Sequence, residues 1–510
     1  MNHHRRPLSI RLLAILAAAL AWALPLRAQA ADPLRGLDAY IEQAMRDWEV
    51  PGLAVAIVRH DSVIYAKGFG VRELGKPERV DENTVFAVAS NTKAVTATAL
   101  GLLVGEGKLR WSDRATQYLP YFQLHDPWAT RELTVRDLLG HRAGYATWQG
   151  DLLWYGSDRS TRDVLAAYRN LEPVTSFRGE YGYNNVLFVA AGEIIPAVTG
   201  TSWADFLRAR LLQPLGMTRT TTSISQLRGM ENVARPHTKI GGRIVTVPYR
   251  DLDNGPGAAA LNSSVRDWAQ WLRMQLRSGA YGGRRIVDSA VILQLRNPQT
   301  TIPIGAATRR LFPSTHFAAY GMGWFLRDYS GKLLVYHSGG MDGMLSYTGF
   351  VPEADFGVAI FTNYDEQSLY SALFWEIIDR MLGNPERDWS RVQLGLRQPP
   401  ADPEAGHVTG TRPTLALDGY AGTYQNPVLG EARVTAANGA LRLQLVHNPG
   451  IGGELAHWQY DTFRATWQDR YLATSLVTFT VDASGKADSF RMQVRPDFVD
   501  PQEYVFRRVR

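Results

Sequence analysis

The sequence predicts an α/β (α+β) fold with three parts: an antiparallel sheet flanked by helices, an all-α half, and a small antiparallel β-barrel at the carboxyl end. Three observations support this prediction. The amino end has the pattern of a helix followed by a β-hairpin, rather than of alternating strands and helices. The middle of the chain is mainly helical in pattern. Residues 414–510 change to an alternation of apolar and polar side chains, which is typical of strands.

The length and composition are those of a folded protein of two or three domains. The chain has 510 residues, of which 45% are hydrophobic and 20% are charged. It contains no cysteine, which excludes a thiol nucleophile, a disulfide framework, a Cys-bound zinc and an iron–sulfur cluster. Covalent catalysis would therefore require Ser, Thr, Lys, Tyr or a carboxylate.

Residues 1–30 have the pattern of a cleaved signal peptide, with arginines ahead of an apolar run and Ala28-Gln29-Ala30 as the cleavage site. A membrane anchor is the alternative, but an apolar run of about 15 residues is short for a bilayer. Cleavage would remove four arginines and no acidic residue, so the formal charge falls from +6 to +2. We therefore expect export to the periplasm or the medium, no stable membrane span after cleavage, and no nucleic-acid partner.

The first elements of the mature chain are predicted from apolar periodicity. Residues 36–48 have helical spacing, and residues 52–58 and 62–68 form two strands of a hairpin. A second helix, residues 91–106, follows Ser90 and ends at a glycine. A helix and a hairpin at the amino end favour an antiparallel sheet with helices packed on it.

The remainder of this domain returns from helices to strands. Residues 133–276 read as mainly helical, residues 333–336 and 357–362 as strands, and residues 368–382 as a closing helix. These elements complete a predicted domain of residues 31–397.

A Pro- and Gly-rich stretch, residues 398–413, predicts a linker. Beyond it, the strand alternation and the Asn438-Gly439 turn predict a small all-β domain of residues 414–510, in the form of a barrel.

The first candidate site is Ser90-Asn91-Thr92-Lys93. The Gly-x-Ser-x-Gly elbow is absent, and Ser90 is the only serine with a lysine three residues later. A helix starting at Ser90 would place the Lys93 amine on the same face as the hydroxyl. A neutral lysine, produced by burial, can accept the serine proton. The structural alternative is an N-cap serine with a solvated lysine, but the apolar helix that follows favours burial.

Two further candidates are Tyr183-Asn184-Asn185 and His337-Ser338-Gly339-Gly340. A phenol can serve as a base only if its pKa of about 10 is lowered, as a nearby ammonium would do. The glycines after His337 would allow the backbone to approach a ligand closely. Neither pattern is specific by itself. Tyr-x-Asn also occurs at Tyr168 and Tyr424, where structural roles are expected, and His-x-Gly alone is more often a turn than a site.

In this chain order, Ser90-x-x-Lys93, Tyr183-x-Asn185 and His337-x-Gly339 resemble the penicillin-recognising serine hydrolases related to class C β-lactamases and D-alanyl-D-alanine carboxypeptidases. Residues 133–141 and 256–264 are similar to segments of the same family. The resemblance covers nearly the whole mature chain and implies a β-lactamase/transpeptidase-like fold. The β domain resembles the lipocalin-like domain of unknown function that is appended to some members.

The resemblance implies a role for each motif residue. Ser90 would be the acylated nucleophile, and Lys93 and Tyr183 would share its proton, with either of them as the base. Asn185 would hydrogen-bond the substrate beside the scissile bond. The N–H groups of Ser90 and Gly340 would hold the oxyanion.

His337 and Gly339 stand where class C β-lactamases have Lys-Thr-Gly. A permanent cation that suits a substrate carboxylate is thus replaced by a group that is mostly neutral near pH 7. His141 has a structural role by the same resemblance. Trp148, Trp154 and Tyr155 either line the cleft or belong to the core, and no metal site is predicted from the remaining histidines.

We therefore predict an exported serine hydrolase that cleaves an amide or ester bond of a small peptide, amide or ester substrate through an acyl-Ser90 intermediate, with no cofactor. One alternative is a β-lactamase or D-Ala-D-Ala carboxypeptidase, which the His337 departure disfavours. Another is a penicillin- or muropeptide-binding sensor that is acylated or occupied without turnover. The β domain could also recognise glycan or form oligomers that shield the cleft.

Overall fold

The structure, a computed structural model, describes residues 32–398, 402, 404–496 and 498–509. The predicted signal peptide lies outside the described residues, as does part of the predicted linker. The described chain folds into a large domain, residues 32–398, and a carboxyl-terminal barrel, residues 422–508.

The strands of the large domain, within its described residues, are β1 (Gly52–Arg59), β2 (Ser62–Gly70), β3 (Phe86–Ala87), β4 (His237–Ile240), β5 (Arg243–Thr246), β6 (Asn262–Ser263), β7 (Ala280–Tyr281), β8 (Arg284–Arg285), β9 (Thr300–Thr301), β10 (Ala318–Tyr320), β11 (Phe325–Tyr329), β12 (Lys332–Met341), β13 (Met344–Val351) and β14 (Phe356–Thr362). Eight of them form one sheet in the order β2-β1-β14-β13-β12-β11-β10-β9, and every neighbouring pair is antiparallel. The other six pair as three short ribbons.

The helices that surround this sheet are α1 (Leu37–Asp47), α2 (Thr92–Gly105), α3 (Ala115–Tyr118), α4 (Pro127–Glu132), α5 (Val135–Leu139), α6 (Thr161–Ala167), α7 (Asn185–Thr199), α8 (Trp203–Leu207), α9 (Pro256–Ala259), α10 (Val265–Leu276), α11 (Ser289–Leu295), α12 (Ala306–Leu311), α13 (Leu369–Leu382) and α14 (Trp389–Leu394). Within the described part of the chain, no single helix has the length and hydropathy to cross a bilayer. One pair, α7 with residues 203–212, meets these criteria jointly but is bent by 79°.

Strand β1 shows how the sheet separates two cores. Its residues from Gly52 to Val58 are all buried, because helices cover both faces of the sheet. Leu53, Val55 and Ile57 point into one core, which contains residues of α1 and α13. Ala54, Ala56 and Val58 point into the other core, which contains residues of α2, α7 and α10.

The predicted fold class is confirmed, and most predicted elements of the sheet lie where the sequence places them. The hairpin turns at His60 and Asp61, both in the left-handed region with φ of 50° and 61°. The expectation of a mainly helical segment over residues 133–276 is only partly correct. Residues 213–264 contain mostly loops and short strands, because this stretch lacks the sustained 3.6-residue periodicity that a long helix requires.

The barrel is a closed antiparallel sheet in which each strand pairs with the next along the chain. Alternate side chains point inward, and aromatic rings such as Tyr424, Phe463, Phe479 and Phe490 fill the interior. Its strands are β15 (Gly422–Asn426), β16 (Gly430–Ala437), β17 (Ala440–Leu445), β18 (Gly452–Gln459), β19 (Thr462–Trp467), β20 (Thr474–Val481), β21 (Ala487–Val494) and β22 (Asp500–Arg508).

The barrel docks on the large domain through a loop that we call the docking loop, residues 147–159. Buried Asp500, at the start of β22, accepts hydrogen bonds from the backbone N–H groups of Gly150 and Leu152, each at 3.2 Å, and from the Tyr504 hydroxyl at 2.7 Å. The Asn448 amide donates to the Leu152 carbonyl at 2.8 Å. These buried polar contacts require the two domains to keep one relative position.

We predict that Asp500→Ala lowers the free energy of unfolding by about 1–3 kcal/mol, because the substitution leaves buried donors without an acceptor. Asp500→Asn is the matched control, since its amide oxygen can still accept one of these hydrogen bonds. Urea unfolding of both variants would measure the difference. Equal losses in the two variants would contradict this role of the carboxylate.

Candidate active site

The Ser90 hydroxyl lies where the chain turns sharply from β3 into α2. Ala89 has a left-handed backbone with φ of 46°, which is uncommon for a residue with a Cβ. The segment Ala89–Asn91 is a 3-10 turn, and Asn91, not Ser90, is the N-cap of α2. Ser90 Oγ instead accepts a hydrogen bond from Lys93 Nζ at 2.9 Å. The three-residue spacing thus brings the two groups together, as predicted, but through a turn that precedes the α-helix.

Lys93 is fully buried beneath Ser90. Its amine donates to Ser90 Oγ and, at 3.0 Å, to the carbonyl of Ala258 in α9. Nζ also lies 4.9 Å from the centroid of the Tyr183 ring and 5.5 Å from that of Phe188. The predicted alternative of a solvated lysine does not apply to this environment.

Burial lowers the pKa of Lys93 to about 7, and Asp151, in its ionised form, acts in the opposite direction. A lysine with this pKa is neutral in a large fraction of molecules near pH 7. Such an amine, in direct contact with the Ser90 hydroxyl, can accept its proton.

Tyr183 lies two residues before the first residue of α7, and hydrogen bonds of its backbone hold it in place. Its N–H donates to Thr147 Oγ1 at 3.2 Å, and its carbonyl accepts from the Trp148 N–H at 2.7 Å. The ring stacks parallel to Phe325, with 6.3 Å between centroids. Burial raises the pKa of Tyr183, although a hydrogen bond with Ser90 acts in the opposite direction. The phenol therefore keeps its proton near pH 7, whereas a tyrosine base would need a lowered pKa.

Asn185, at the first turn of α7, is oriented by a carboxyl group that the sequence motifs do not include. Its Nδ2 donates to Asp151 Oδ2 at 2.5 Å, while its Oδ1 is buried and has no hydrogen-bond partner among the described residues. Trp154 Nε1 donates to the other Asp151 oxygen at 3.0 Å. Burial raises the pKa of Asp151 to about 8, and the nearby Asp500 carboxylate acts in the same direction. Asn185 thus presents a carbonyl oxygen that can accept an N–H from a bound molecule.

The glycines of β12 allow this strand to lie against the Ser90 turn. A Cβ on Gly339 would come within 2.2 Å of the Val88 carbonyl oxygen, 2.5 Å of Ser346 Oγ and 3.1 Å of the Ser90 nitrogen. A side chain at Gly339 would therefore push the strand away from Ser90. This close approach places the β12 backbone at Gly339 next to Ser90, and Gly340, the next residue of the strand, lines the same cavity as Ser90.

The imidazole of His337 is buried and both of its nitrogens are engaged. Nδ1 donates to the Ser338 carbonyl at 2.6 Å, so Nε2 accepts from the Tyr320 hydroxyl at 2.9 Å. Burial, with the charge of Lys93, lowers the pKa of His337 to about 3. His337 is therefore neutral near pH 7, as expected from the sequence. Its imidazole cannot supply the positive charge with which a lysine at this position would bind a substrate carboxylate.

His141 lies behind the site rather than in its wall. Its Nδ1 accepts from the Asn184 N–H at 3.0 Å, and its ring packs on Tyr183 and Tyr320, with centroids 4.2 and 4.4 Å away. Burial lowers its pKa. These contacts fit the predicted structural role. Among the residues that the structure describes, no three His, Asp or Glu side chains are grouped so that they could hold a metal ion.

These groups open onto a cavity of about 280 Å³. Its walls are mainly aromatic and apolar, and they contain no Lys or Arg among the described residues. Of the predicted site residues, Ser90, Tyr183, Asn185, His337 and Gly340 line the cavity, whereas Lys93 and Gly339 lie directly behind it. The other lining residues are Thr147, Trp148, Asp151, Trp154, Tyr155, Tyr181, Ala259, Phe325, Ser338, Met341, Phe498 and Val499.

Several of these lining residues were not predicted as site residues. From the sequence, Trp148, Trp154 and Tyr155 could either line the cleft or belong to the core. The structure places all three in the wall of the cavity. Asp151 could have been suspected, because a carboxyl group in an aromatic stretch is unusual in a core. Phe498 and Val499 belong to the barrel domain, and no local pattern connects them with Ser90.

Comparisons with known families assign both domains. The Beta-lactamase family profile matches residues 37–377, and a domain of unknown function (DUF3471) matches residues 407–508. The unguisins hydrolase ungD of Aspergillus violaceofuscus is 27% identical over 479 residues, which cover 85% of this chain and 83% of that protein. Protein flp of Staphylococcus aureus is 25% identical over 378 residues, which cover 72% of this chain and 70% of flp.

Two solved structures share the fold over most of the chain. The octameric penicillin-binding protein homologue from Pyrococcus abyssi has a TM-score of 0.63 at 22% identity, covering 93% of this chain and 100% of that one. The crystal structure of SurE has a TM-score of 0.56 at 20% identity, covering 94% and 99%. The family match extends from α1 into α13 and thus includes every motif of the site. The chain therefore belongs to the Beta-lactamase family and is a hydrolase of that family.

Proposed function

We propose that the protein is a serine hydrolase that cleaves an amide or ester bond through an acyl-Ser90 intermediate. The observation that carries the proposal is the direct contact between Ser90 Oγ and the buried amine of Lys93 at 2.9 Å. A sensor that only binds its ligand has no need for a buried proton acceptor at the hydroxyl. The contact therefore favours a protein that is acylated at Ser90 over one that only binds its ligand, and the turnover measurement below separates an enzyme from an acylated sensor.

In the first half of the reaction, neutral Lys93 takes the Ser90 proton as Oγ attacks the substrate carbonyl carbon. The Ser90 and Gly340 N–H groups stabilise the oxyanion that forms. Collapse of the tetrahedral intermediate breaks the bond to the leaving group, which receives a proton either from the Lys93 ammonium or through the Tyr183 hydroxyl. The acyl group is then bonded to Ser90 and Lys93 is neutral again.

In the second half, a water molecule attacks the acyl-enzyme carbonyl and Lys93 takes the water proton. Collapse of this intermediate breaks the ester bond to Ser90, whose oxygen recovers a proton from Lys93. We assign the base role to Lys93 rather than to Tyr183, because burial lowers the pKa of the amine and raises that of the phenol.

The substrate, in this proposal, lacks a carboxylate beside the scissile bond. The described cavity wall offers no cation, and His337 is neutral and engaged by Tyr320 and Ser338. The alternatives of a β-lactamase or a D-Ala-D-Ala carboxypeptidase are therefore disfavoured. The relatives named unguisins hydrolases support a hydrolytic reaction. The buried Oδ1 of Asn185, which has no hydrogen-bond partner among the described residues, would accept the N–H group of an amide substrate.

We also propose that the protein is exported to the periplasm or the medium. The support is the sequence of residues 1–30, with its arginines, apolar run and Ala-x-Ala site. Comparison of the mature amino terminus in secreted and cytosolic fractions would test this proposal.

We predict that Ser90→Ala lowers kcat/KM for a p-nitrophenyl ester by about 10⁴-fold or more, because the attacking oxygen is removed. The same measurement with D-amino-acid amides and a chromogenic cephalosporin, followed by intact mass, separates the alternatives. Rapid cephalosporin turnover would favour a β-lactamase, and a stable adduct without turnover would favour a sensor. Unchanged ester turnover in Ser90→Ala would contradict the site assignment.

We predict that kcat/KM of the wild-type protein rises by about tenfold per pH unit below pH 7 and levels off above it, because the neutral form of Lys93 is required. A pH profile from 5 to 10 would measure this. Lys93→Arg keeps the charge but cannot lose its proton, so it should lose activity at every pH. Tyr183→Phe should retain a transition near pH 7. A transition that occurs only near pH 10 and disappears in Tyr183→Phe would instead identify the phenol as the base.

A further inference from the structure

Part of the cavity wall comes from the barrel domain. Phe498 and Val499, which precede β22, both line the cavity that contains Ser90. The Phe498 ring lies against strand β12 at Gly340, since its Cε2 would be 3.5 Å from a Cβ placed on that glycine. On its other side, Phe498 faces Trp148 of the docking loop, with ring centroids 6.4 Å apart.

The position of this wall is fixed by contacts in both domains. The N–H groups of Phe498 and Val499 donate to the Arg495 carbonyl at 3.0 and 2.8 Å. The Arg495 guanidinium lies over the rings of Phe498 and Tyr471, at 5.2 and 4.2 Å from their centroids. Asp500, the next residue, binds the docking loop. The Phe498 ring is therefore held at the cavity rather than being a surface side chain that happens to lie near it.

We propose that Phe498 and Val499 form, with Trp148, a subsite that binds a bulky, uncharged apolar group on the acyl side of the scissile bond. This inference rests on the proposed function, because the subsite is defined relative to a carbonyl attacked by Ser90. The acyl side is assigned because Phe498 packs on Gly340, whose N–H would bind the carbonyl oxygen. The DUF3471 domain would then take part in substrate selection.

The chemistry of the walls defines the class of group that the subsite accepts. Aromatic and aliphatic side chains surround it, the described lining contains no Lys or Arg, and the pKa of its His337 is lowered so that the imidazole is neutral. A charged acyl group would lose its hydration without gaining an ion pair with the wall. An aromatic or branched apolar group would instead bury its surface against Phe498, Val499 and Trp148.

The test compares two esters with the same leaving group, p-nitrophenyl acetate and p-nitrophenyl 3-phenylpropanoate, on the full chain. For Phe498→Ala we expect kcat/KM for the phenylpropanoate to fall by about tenfold or more, since apolar contacts in a pocket contribute discrimination of this order. The readout is the ratio of the two kcat/KM values, because acetate has no bulky acyl group to place against Phe498. Tyr460→Ala is the matched control, because this exposed barrel tyrosine does not line the cavity.

A second variant keeps the test valid if Phe498→Ala does not fold. Val499→Phe narrows the subsite and should also lower phenylpropanoate turnover selectively while acetate turnover persists. If the ratio of the two kcat/KM values is unchanged in whichever folded variants retain acetate turnover, the barrel wall does not bind the acyl group and the inference is overturned. Failure of the proposed function would have a different signature, namely acetate turnover that persists in Ser90→Ala.

Discussion

The burial of one amine, that of Lys93, is the constraint on which the rest of the large domain depends. A charged lysine in a water-free position is costly, whereas a neutral one can be accommodated when its protons find acceptors. Helix α2 places Lys93 in this position because its residues from Thr92 to Leu103 are all buried. The acceptors are Ser90 Oγ and the Ala258 carbonyl. The position of Ser90 and the burial of Lys93 therefore depend on each other, because the hydroxyl of Ser90 is one of the two acceptors of the buried amine.

The polar groups around Lys93 leave its amine as the main group of the site that changes between a positive charge and neutrality near pH 7. His337 is neutral because both of its nitrogens are engaged in a buried position, so it adds no second positive charge. Tyr183 remains protonated because burial raises the pKa of its phenol. A lysine at position 337 would supply a carboxylate-binding charge, but it would also push the pKa of Lys93 lower still. The histidine therefore affects both the expected substrate class and the pH at which Lys93 becomes neutral.

The parts of this arrangement that the sequence could predict are those set by local geometry. The i, i+3 spacing is sufficient to bring Lys93 to Ser90, and the alternation in residues 414–510 is sufficient to predict a barrel. The direction of the pKa shift of Tyr183 was not predictable, because it depends on whether burial or a nearby charge dominates. Asp151 and Phe498 were not identified because no local spacing relates them to Ser90. Their placement depends on how the two domains dock.

The docking loop connects the interface between the two domains with the active site around Ser90. Its 3-10 turn, Asp151–Leu153, presents backbone N–H groups that need an acceptor once they are buried. The barrel supplies that acceptor with Asp500. The same turn carries Asp151, which orients the amide of Asn185. An undocked barrel would thus remove the Phe498 wall and also leave the turn that fixes Asn185 without its acceptor. The geometry of the site is consequently a property of both domains, although Ser90, Lys93 and Tyr183 all belong to the large one.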